Sequence, residues 1–260
     1  MKFTILKPIL YITIMALMLS CGLFGGSGAQ PTTEPVQAQP TVQEAPTQQS
    51  AEPTEVQKYF QEDFNSSLNG WSQFVVDGSK VSKGGNAILS NGEFGNMSVD
   101  VKDGYLVFDL QDPGQWVYET YDAQDYDDVR VDVSATNRGT NDNNISLICR
   151  YSQKGGWYEF NIANNGLYKI YYGNVKSNNV VAYRLLADGG YTKIKQGKET
   201  NQLGISCKGR TLSLFINDYK VKQLDDNEVV LRTGKIGVSV SSFVNLPATV
   251  EFDWVKISQP

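Results

Sequence analysis

The chain is 260 residues long and 40% hydrophobic, with 23 Lys+Arg against 28 Asp+Glu, three cysteines and no histidine. Without histidine there is no Ser-His-Asp or Cys-His catalysis and no histidine-ligated zinc or haem, so acid–base chemistry falls to carboxylates, Tyr or Lys. A net charge of −5 argues against a nucleic-acid partner, because affinity for a phosphate backbone is built from clustered Lys and Arg.

Residues 1–20 carry Lys2 and Lys7 as their only charges, ahead of an apolar run from Ile9 to Leu19 broken only by Thr13. That run is well short of the roughly 20 apolar residues a membrane-spanning helix needs, and the basic start with a small-residue end is the pattern of a secretory signal peptide. The stretch Met18-Leu19-Ser20-Cys21 resembles a bacterial lipobox, with methionine where leucine is usual. The resemblance implies lipid attachment at Cys21, a membrane partner through that anchor, and a protein held at the extracellular face of the bacterial cell membrane. The alternative is a chance cysteine near an ordinary cleavage site. Residues 21–56 hold five of the nine prolines and almost no large apolar side chain. Such a segment cannot bury enough surface to offset its ordering entropy, which predicts a disordered tether with an r.m.s. reach of roughly 30 Å.

Residues 57–260 form the expected globular unit, long enough for one sizeable core. Short period-two stretches rich in Val, Ile, Tyr and Phe alternate with Gly, Asn and Asp, which is an all-β antiparallel signature. The pattern predicts strands at 59–64, 97–101, 105–110, 115–121, 129–135, 145–151, 157–163, 167–172, 180–186, 202–207, 212–216, 220–224, 235–241 and 250–257. That is too many for an immunoglobulin-like domain and suits a large two-sheet jelly roll.

Turn chemistry extends the prediction to register. A loop over Asn164-Asn165-Gly166 ending in a left-handed glycine pairs Ile162 with Tyr168, Phe160 with Ile170 and Tyr158 with Tyr172. A four-residue loop over Gln153 to Gly156 sets Tyr151 opposite Tyr158 and Cys149 opposite Phe160. The other face of these strands then carries Arg150, Trp157, Glu159, Asn161, Lys169 and Tyr171, with Arg150 across from Glu159 and Asn161 across from Lys169. Exposed aromatics among fixed polar groups suit a sugar, whose C–H faces stack on rings while its hydroxyls meet the polar groups. The competing reading is a cross-strand ion pair on a solvated sheet.

The stretches EDFNSSLNGW, LICRYSQKGGWYEFNIANNGLYKIYY, NQLGISCKGRTLSLFIND and GKIGVSVSSFVNLPATVEFDWVKI resemble the concanavalin A-like jelly-roll modules of the laminin-G-like and 3-keto-disaccharide hydrolase superfamily. The resemblance implies two stacked, curved antiparallel sheets, first and last strands side by side, and sugar binding, where it occurs, on the concave sheet. Modules of this kind often carry Cys149 and Cys207, both expected on core faces. A disulfide between them would close a loop worth about 4 kcal/mol in the chain-entropy model; two packed thiols are the alternative.

Retaining glycosidases of that fold carry a Glu-x-Asp-x-x-Glu strand. The nearest stretch here, Glu251-Phe252-Asp253-Trp254-Val255-Lys256, has lysine where the second glutamate belongs and reads as solvent-facing charge on an edge strand, with Trp254 in the core. The cluster Asp122, Asp125, Asp127 and Asp128 suggests calcium, which related modules bind, but lacks D-x-D-x-D-G spacing and reads better as a solvated loop. Trp71 is expected to pack. With no paired catalytic carboxylates, the leading expectation is a non-enzymatic surface lipoprotein binding a polysaccharide or cell-wall glycan, with no cofactor. The resemblance also permits glycoside or 3-keto-disaccharide hydrolysis, and a structural or protein-interaction envelope module is the third reading.

Overall fold

A computed structural model describes residues 57–260 apart from Asn91 and Glu93. The expected signal peptide, the lipid attachment at Cys21 and the 21–56 linker lie outside the described residues. Among those described, sixteen strands run in chain order: β1 Phe60–Glu62, β2 Trp71–Asp77, β3 Ala87–Ser90, β4 Met97–Lys102, β5 Tyr105–Leu110, β6 Gln115–Tyr126, β7 Val129–Asn137, β8 Asn143–Ser152, β9 Gly156–Ala163, β10 Leu167–Val175, β11 Val180–Gly190, β12 Thr200–Lys208, β13 Thr211–Ile216, β14 Tyr219–Asp225, β15 Gly234–Ser242 and β16 Ala248–Ser258. All fourteen expected strands are present. The two additional ones, β2 and β3, lack alternation for different reasons. In β2, Phe74, Val75 and Val76 are all buried, so both faces are covered and the period-two signal vanishes; β3 is only four residues long.

The strands form two antiparallel sheets, a concanavalin A-like jelly-roll sandwich. One sheet runs β14-β13-β12-β7-β16-β5-β4, with β1 alongside β16 through Phe60–Ile257 and Glu62–Val255. The first and last strands therefore are neighbours, but β16 is an inner strand between β7 and β5 rather than an edge. The second sheet runs β10-β11-β3-β2-β6-β15-β8-β9 and curls until it closes on itself. The closing seam is short, Val180 against Ile88 and Val181 against Ala87.

Closure gives the molecule two cores. Between the sheets, Leu106, Phe108, Val131, Val133, Leu203, Ile205 and Phe252 meet Val75, Val117, Leu147, Phe160, Ile170 and Val238. Each such side chain, fully buried, contributes about 1.5–3 kcal/mol. Inside the curl of the second sheet lies a separate cluster of Phe74, Val76, Ala87, Leu89, Tyr118, Ile148, Trp157 and Val181. Cys149 on β8 and Cys207 on β12 are joined by a disulfide with an S–S distance of 2.01 Å, which staples the two sheets across the main core.

The register prediction holds on one side of β9 and fails on the other. Ile162–Tyr168, Phe160–Ile170, Tyr158–Tyr172 and Asn161–Lys169 pair as expected. On the β8 side, Cys149 pairs with Tyr158 and Leu147 with Phe160, two residues away from the predicted register. The cause is a bulge between Cys149 and Ser152, where Arg150 takes a left-handed φ of 56°. The bulge swings Tyr151 out of the main core into contact with the inner cluster and leaves Ile148, not Arg150, opposite Glu159. A second bulge, between Phe252 and Trp254, puts Val255 and Ile257 in the core and leaves Trp254 half-buried outside it. Trp71 packs against the main core, its ring 5.5 Å from that of Tyr121.

Candidate functional site

The concave face of the closed sheet is built by alternation. On β9, Glu159, Asn161 and Ala163 project to the same side, and Asn165 continues the series in the following turn. Burial falls along it: Glu159 is 2% exposed and Asn161 6%, Ala163 is half-buried and Asn165 is exposed. The series therefore runs from the inner end of a pocket to its rim. Cross-strand pairing extends it sideways, setting Asn161 beside Lys169 and Ser146, and Glu159 beside Tyr171 and Ile148. The start of β6 contributes Trp116 and the end of β15 contributes Ser241; Ala87 and Val181 of the seam, with Tyr183 of β11, complete the wall.

The cavity has a volume of about 530 Å³, in the range of roughly 300–1,000 Å³ common for small-molecule sites. Trp116, Tyr171 and Tyr183 supply its aromatic surface, with Tyr183 edge-on to both at centroid distances of 5.3 and 5.9 Å. Glycine makes room for the tryptophans: a Cβ on Gly78 would lie 2.4 Å from the Trp116 ring, and one on Gly173 would lie 2.9 Å from Trp157.

Glu159 is the chemical centre of the pocket. Tyr118 Oη donates to its Oε2 at 2.8 Å and Trp157 Nε1 donates to the same oxygen at 2.9 Å. Tyr118 also shares a 3.0 Å hydrogen bond with Tyr183. Burial pushes the Glu159 carboxyl above the usual carboxylate range, and hydrogen bonding from Trp157, Tyr118, Asn161 and Ser146 offsets only part of that rise. Two buried polar atoms on the pocket wall have no hydrogen-bond partner in the protein, Asn161 Oδ1 and Trp116 Nε1. Most buried polar atoms of native folds are satisfied, so two orphans on a cavity wall point to a polar ligand. The second carboxylate on the wall is Asp142, whose Oδ2 accepts from Val244 N at 2.9 Å, Asn245 N at 2.8 Å and Asn245 Nδ2 at 3.2 Å.

Of the six residues expected on a ligand face, Glu159, Asn161, Lys169 and Tyr171 line the pocket. Trp157 does not: it is fully buried in the inner cluster and reaches the site only through its bond to Glu159. Arg150 is 2% exposed and turns away, its guanidinium donating to the carbonyls of Asp127, Gly209 and Leu231. The two corrections have separate physical origins: sheet closure buries Trp157 and the β8 bulge redirects Arg150. Trp116, Tyr183 and Asp142 were not anticipated as site residues. Trp116 and Tyr118 alternate with Val117 on an expected strand, a sign that β6 buries both faces, whereas nothing local marks Asp142.

Three of the four aspartates considered for calcium have other partners, Asp122 accepting from Thr120 Oγ1 at 3.2 Å. Asp125 pairs with Lys235 at 3.0 Å, and Asp128 accepts from Gly209 N at 2.7 Å. Among the described residues no group of three or more acidic or cysteine side chains is placed to hold a metal ion. Glu251 pairs with Arg138 at 2.7 Å and Asp253 is exposed, away from the pocket.

No protein-family model matches the chain and no curated protein matches it by sequence. Solved structures match it by fold. A glycoside hydrolase family 16 endo-glucanase from Bacteroides ovatus superimposes with a TM-score of 0.54 at 13% identity, covering 76% of this chain and 99% of that one. The Bacillus licheniformis beta-glucanase gives 0.50 at 14% identity, covering 79% of this chain and all of that one. A laminarinase from Flavobacterium sp. UMI-01 gives 0.51 at 11% identity, covering 77% and 99%. Identities this low carry the fold alone. These neighbours are hydrolases by name, which counts against the expectation of a non-enzymatic module. That expectation rested on the lack of paired carboxylates along one strand and placed Glu159 on an open sheet face, whereas Glu159 is buried at the inner end of a cavity.

Proposed function

We propose that the module hydrolyses a glycosidic bond of a glycan held in the concave pocket, with Glu159 as proton donor. The observation that carries this reading is a buried carboxyl, raised above its ordinary pKa, at the inner end of a cavity lined by aromatic rings and unpartnered polar atoms. A carboxyl whose pKa is raised holds its proton to higher pH than an ordinary glutamate, as donation to a glycosidic leaving oxygen requires. In the step, the bond from anomeric carbon to glycosidic oxygen breaks and that oxygen takes the Glu159 proton. Water adds its oxygen to the anomeric carbon and gives up a proton to solvent, and Glu159, left ionised, regains a proton from solvent. The fold neighbours, hydrolases of beta-glucans and laminarin by name, make β-glucans the first substrates to try.

The test is reducing-sugar release from mixed-linkage β-glucan, laminarin and their oligosaccharides by wild type and Glu159→Gln. Turnover that the substitution lowers by about 10²–10⁴-fold is expected. Absence of turnover across a broad glycan panel would overturn the reading.

An exported, membrane-anchored location belongs to the same proposal. It is supported by the Lys2 to Cys21 pattern and by the Cys149–Cys207 disulfide, a bond that persists in oxidising compartments. Cys21→Ser should release the protein from the membrane fraction; unchanged retention would count against the anchor.

A further inference from the structure

We infer that the pocket admits the end of a glycan chain and not an internal stretch, so that cleavage is exo-acting. The inference rests on the hydrolase reading for its chemistry and on sheet closure for its geometry.

An internal bond of a long polymer can reach a proton donor only in a groove that the chain enters on one side and leaves on the other. The pairing of β11 with β3 through Val180–Ile88 and Val181–Ala87 bridges the concave face, and Val181 and Ala87 form part of the pocket wall. Beneath the bridge the space is filled. Phe74 stacks between Tyr118 at 4.4 Å and Tyr151 at 4.5 Å, and Trp157 packs edge-on to Phe74 and Tyr118 at 5.3 and 5.4 Å. Tyr118 and Trp157 are fully buried and Phe74 is 4% exposed, so this packing is a plug, not a lining.

Glu159 is bonded to two members of that plug, Tyr118 and Trp157, and is the most deeply buried member of the series running out through Asn161 and Ala163 to Asn165. The proton donor therefore stands at the closed end. A glycan that enters tip-first lays its terminal unit alongside Glu159, with the first linkage inside the pocket and the remaining units over Leu167 and Val81, rim residues 46% and 41% exposed. A cavity of about 530 Å³ suits a short saccharide rather than a polymer segment.

Cyclic β-glucans have no ends and separate the alternatives. Wild type is incubated with linear and cyclic β-glucans of matched size and linkage, with products sized over time. The Glu159→Gln protein is titrated with both by calorimetry; the substitution keeps the shape and an oxygen to accept from Tyr118 and Trp157. The inference expects linear chains to lose a terminal unit of one fixed size, with cyclic glucans neither cleaved nor bound. Cleavage or binding of cyclic glucan comparable to linear, or a random product ladder, would overturn it. Linear-only binding without turnover would overturn the hydrolase reading while leaving chain-end recognition standing, and binding of neither would overturn both.

Discussion

Glu159 and Glu119 are both buried glutamates, yet their surroundings give them different consequences. Glu159 is held by Tyr118 and Trp157 and faces the cavity, so its raised pKa is chemically usable. Activity should fall as pH rises through that pKa, and Glu159→Gln should abolish the pH-dependent limb together with the rate. Glu119 lies on β6 between Val117 and Tyr121, both members of the inter-sheet core, and its carboxyl has no hydrogen bond among the described residues. Burial, with a smaller contribution from Asp122, raises it from 4.5 to about 7. Because the folded value exceeds the unfolded one, the protonated form favours the native state. Stability from this group is full below the unfolded value, falls as pH rises toward 7 and stays low above it, a loss of roughly 3 kcal/mol. Denaturant unfolding at pH 5 and pH 8 should show that loss in wild type and a much flatter response in Glu119→Gln; equal slopes would refute the assignment. Arg150 belongs to stability alone. Its guanidinium satisfies three backbone carbonyls, so Arg150→Ala should destabilise by about 3 kcal/mol or more while leaving glycan affinity unchanged, as unfolding and binding titrations of the same protein would reveal.

At the scale of strands and turns, sequence legibility followed locality. The Asn164-Asn165-Gly166 turn fixes the β9–β10 register and so places Glu159, Asn161, Lys169 and Tyr171 on one face by local turn chemistry alone. The left-handed Arg150 that shifts β8 by two residues carries no such mark, since arginine has no preference for that conformation. The seam between β3 and β11 is invisible in sequence because it joins segments some ninety residues apart through only two pairs. That seam, not the residue pattern, turns an open polar face into a pocket with a buried floor, which is why Trp157 reads as exposed and is not. The disulfide is another long-range tie, spanning 58 residues between β8 and β12. Replacing both cysteines with serine should cost about 4 kcal/mol in the chain-entropy model, measured as a lower denaturation midpoint with an intact fold. No change in midpoint would mean that the unfolded chain is already compact there.

For the molecule as a whole, the two cores divide the work. The inter-sheet core holds the sandwich together, while the smaller cluster inside the closed sheet fills one part of the concave face and positions Glu159 at the edge of the remainder. A hydrophobic plug next to an aromatic, amide-rich cavity gives Glu159 low-dielectric walls on one side and a polar cavity on the other, the combination that the proposed general-acid chemistry on a sugar needs. The account is tested most directly by following reducing-end release from linear β-glucan oligosaccharides with wild-type protein and with Glu159→Gln at the same pH. It predicts turnover by wild type and a loss of about 10²-fold or more in the variant, with binding retained. Equal rates in the two proteins would contradict it.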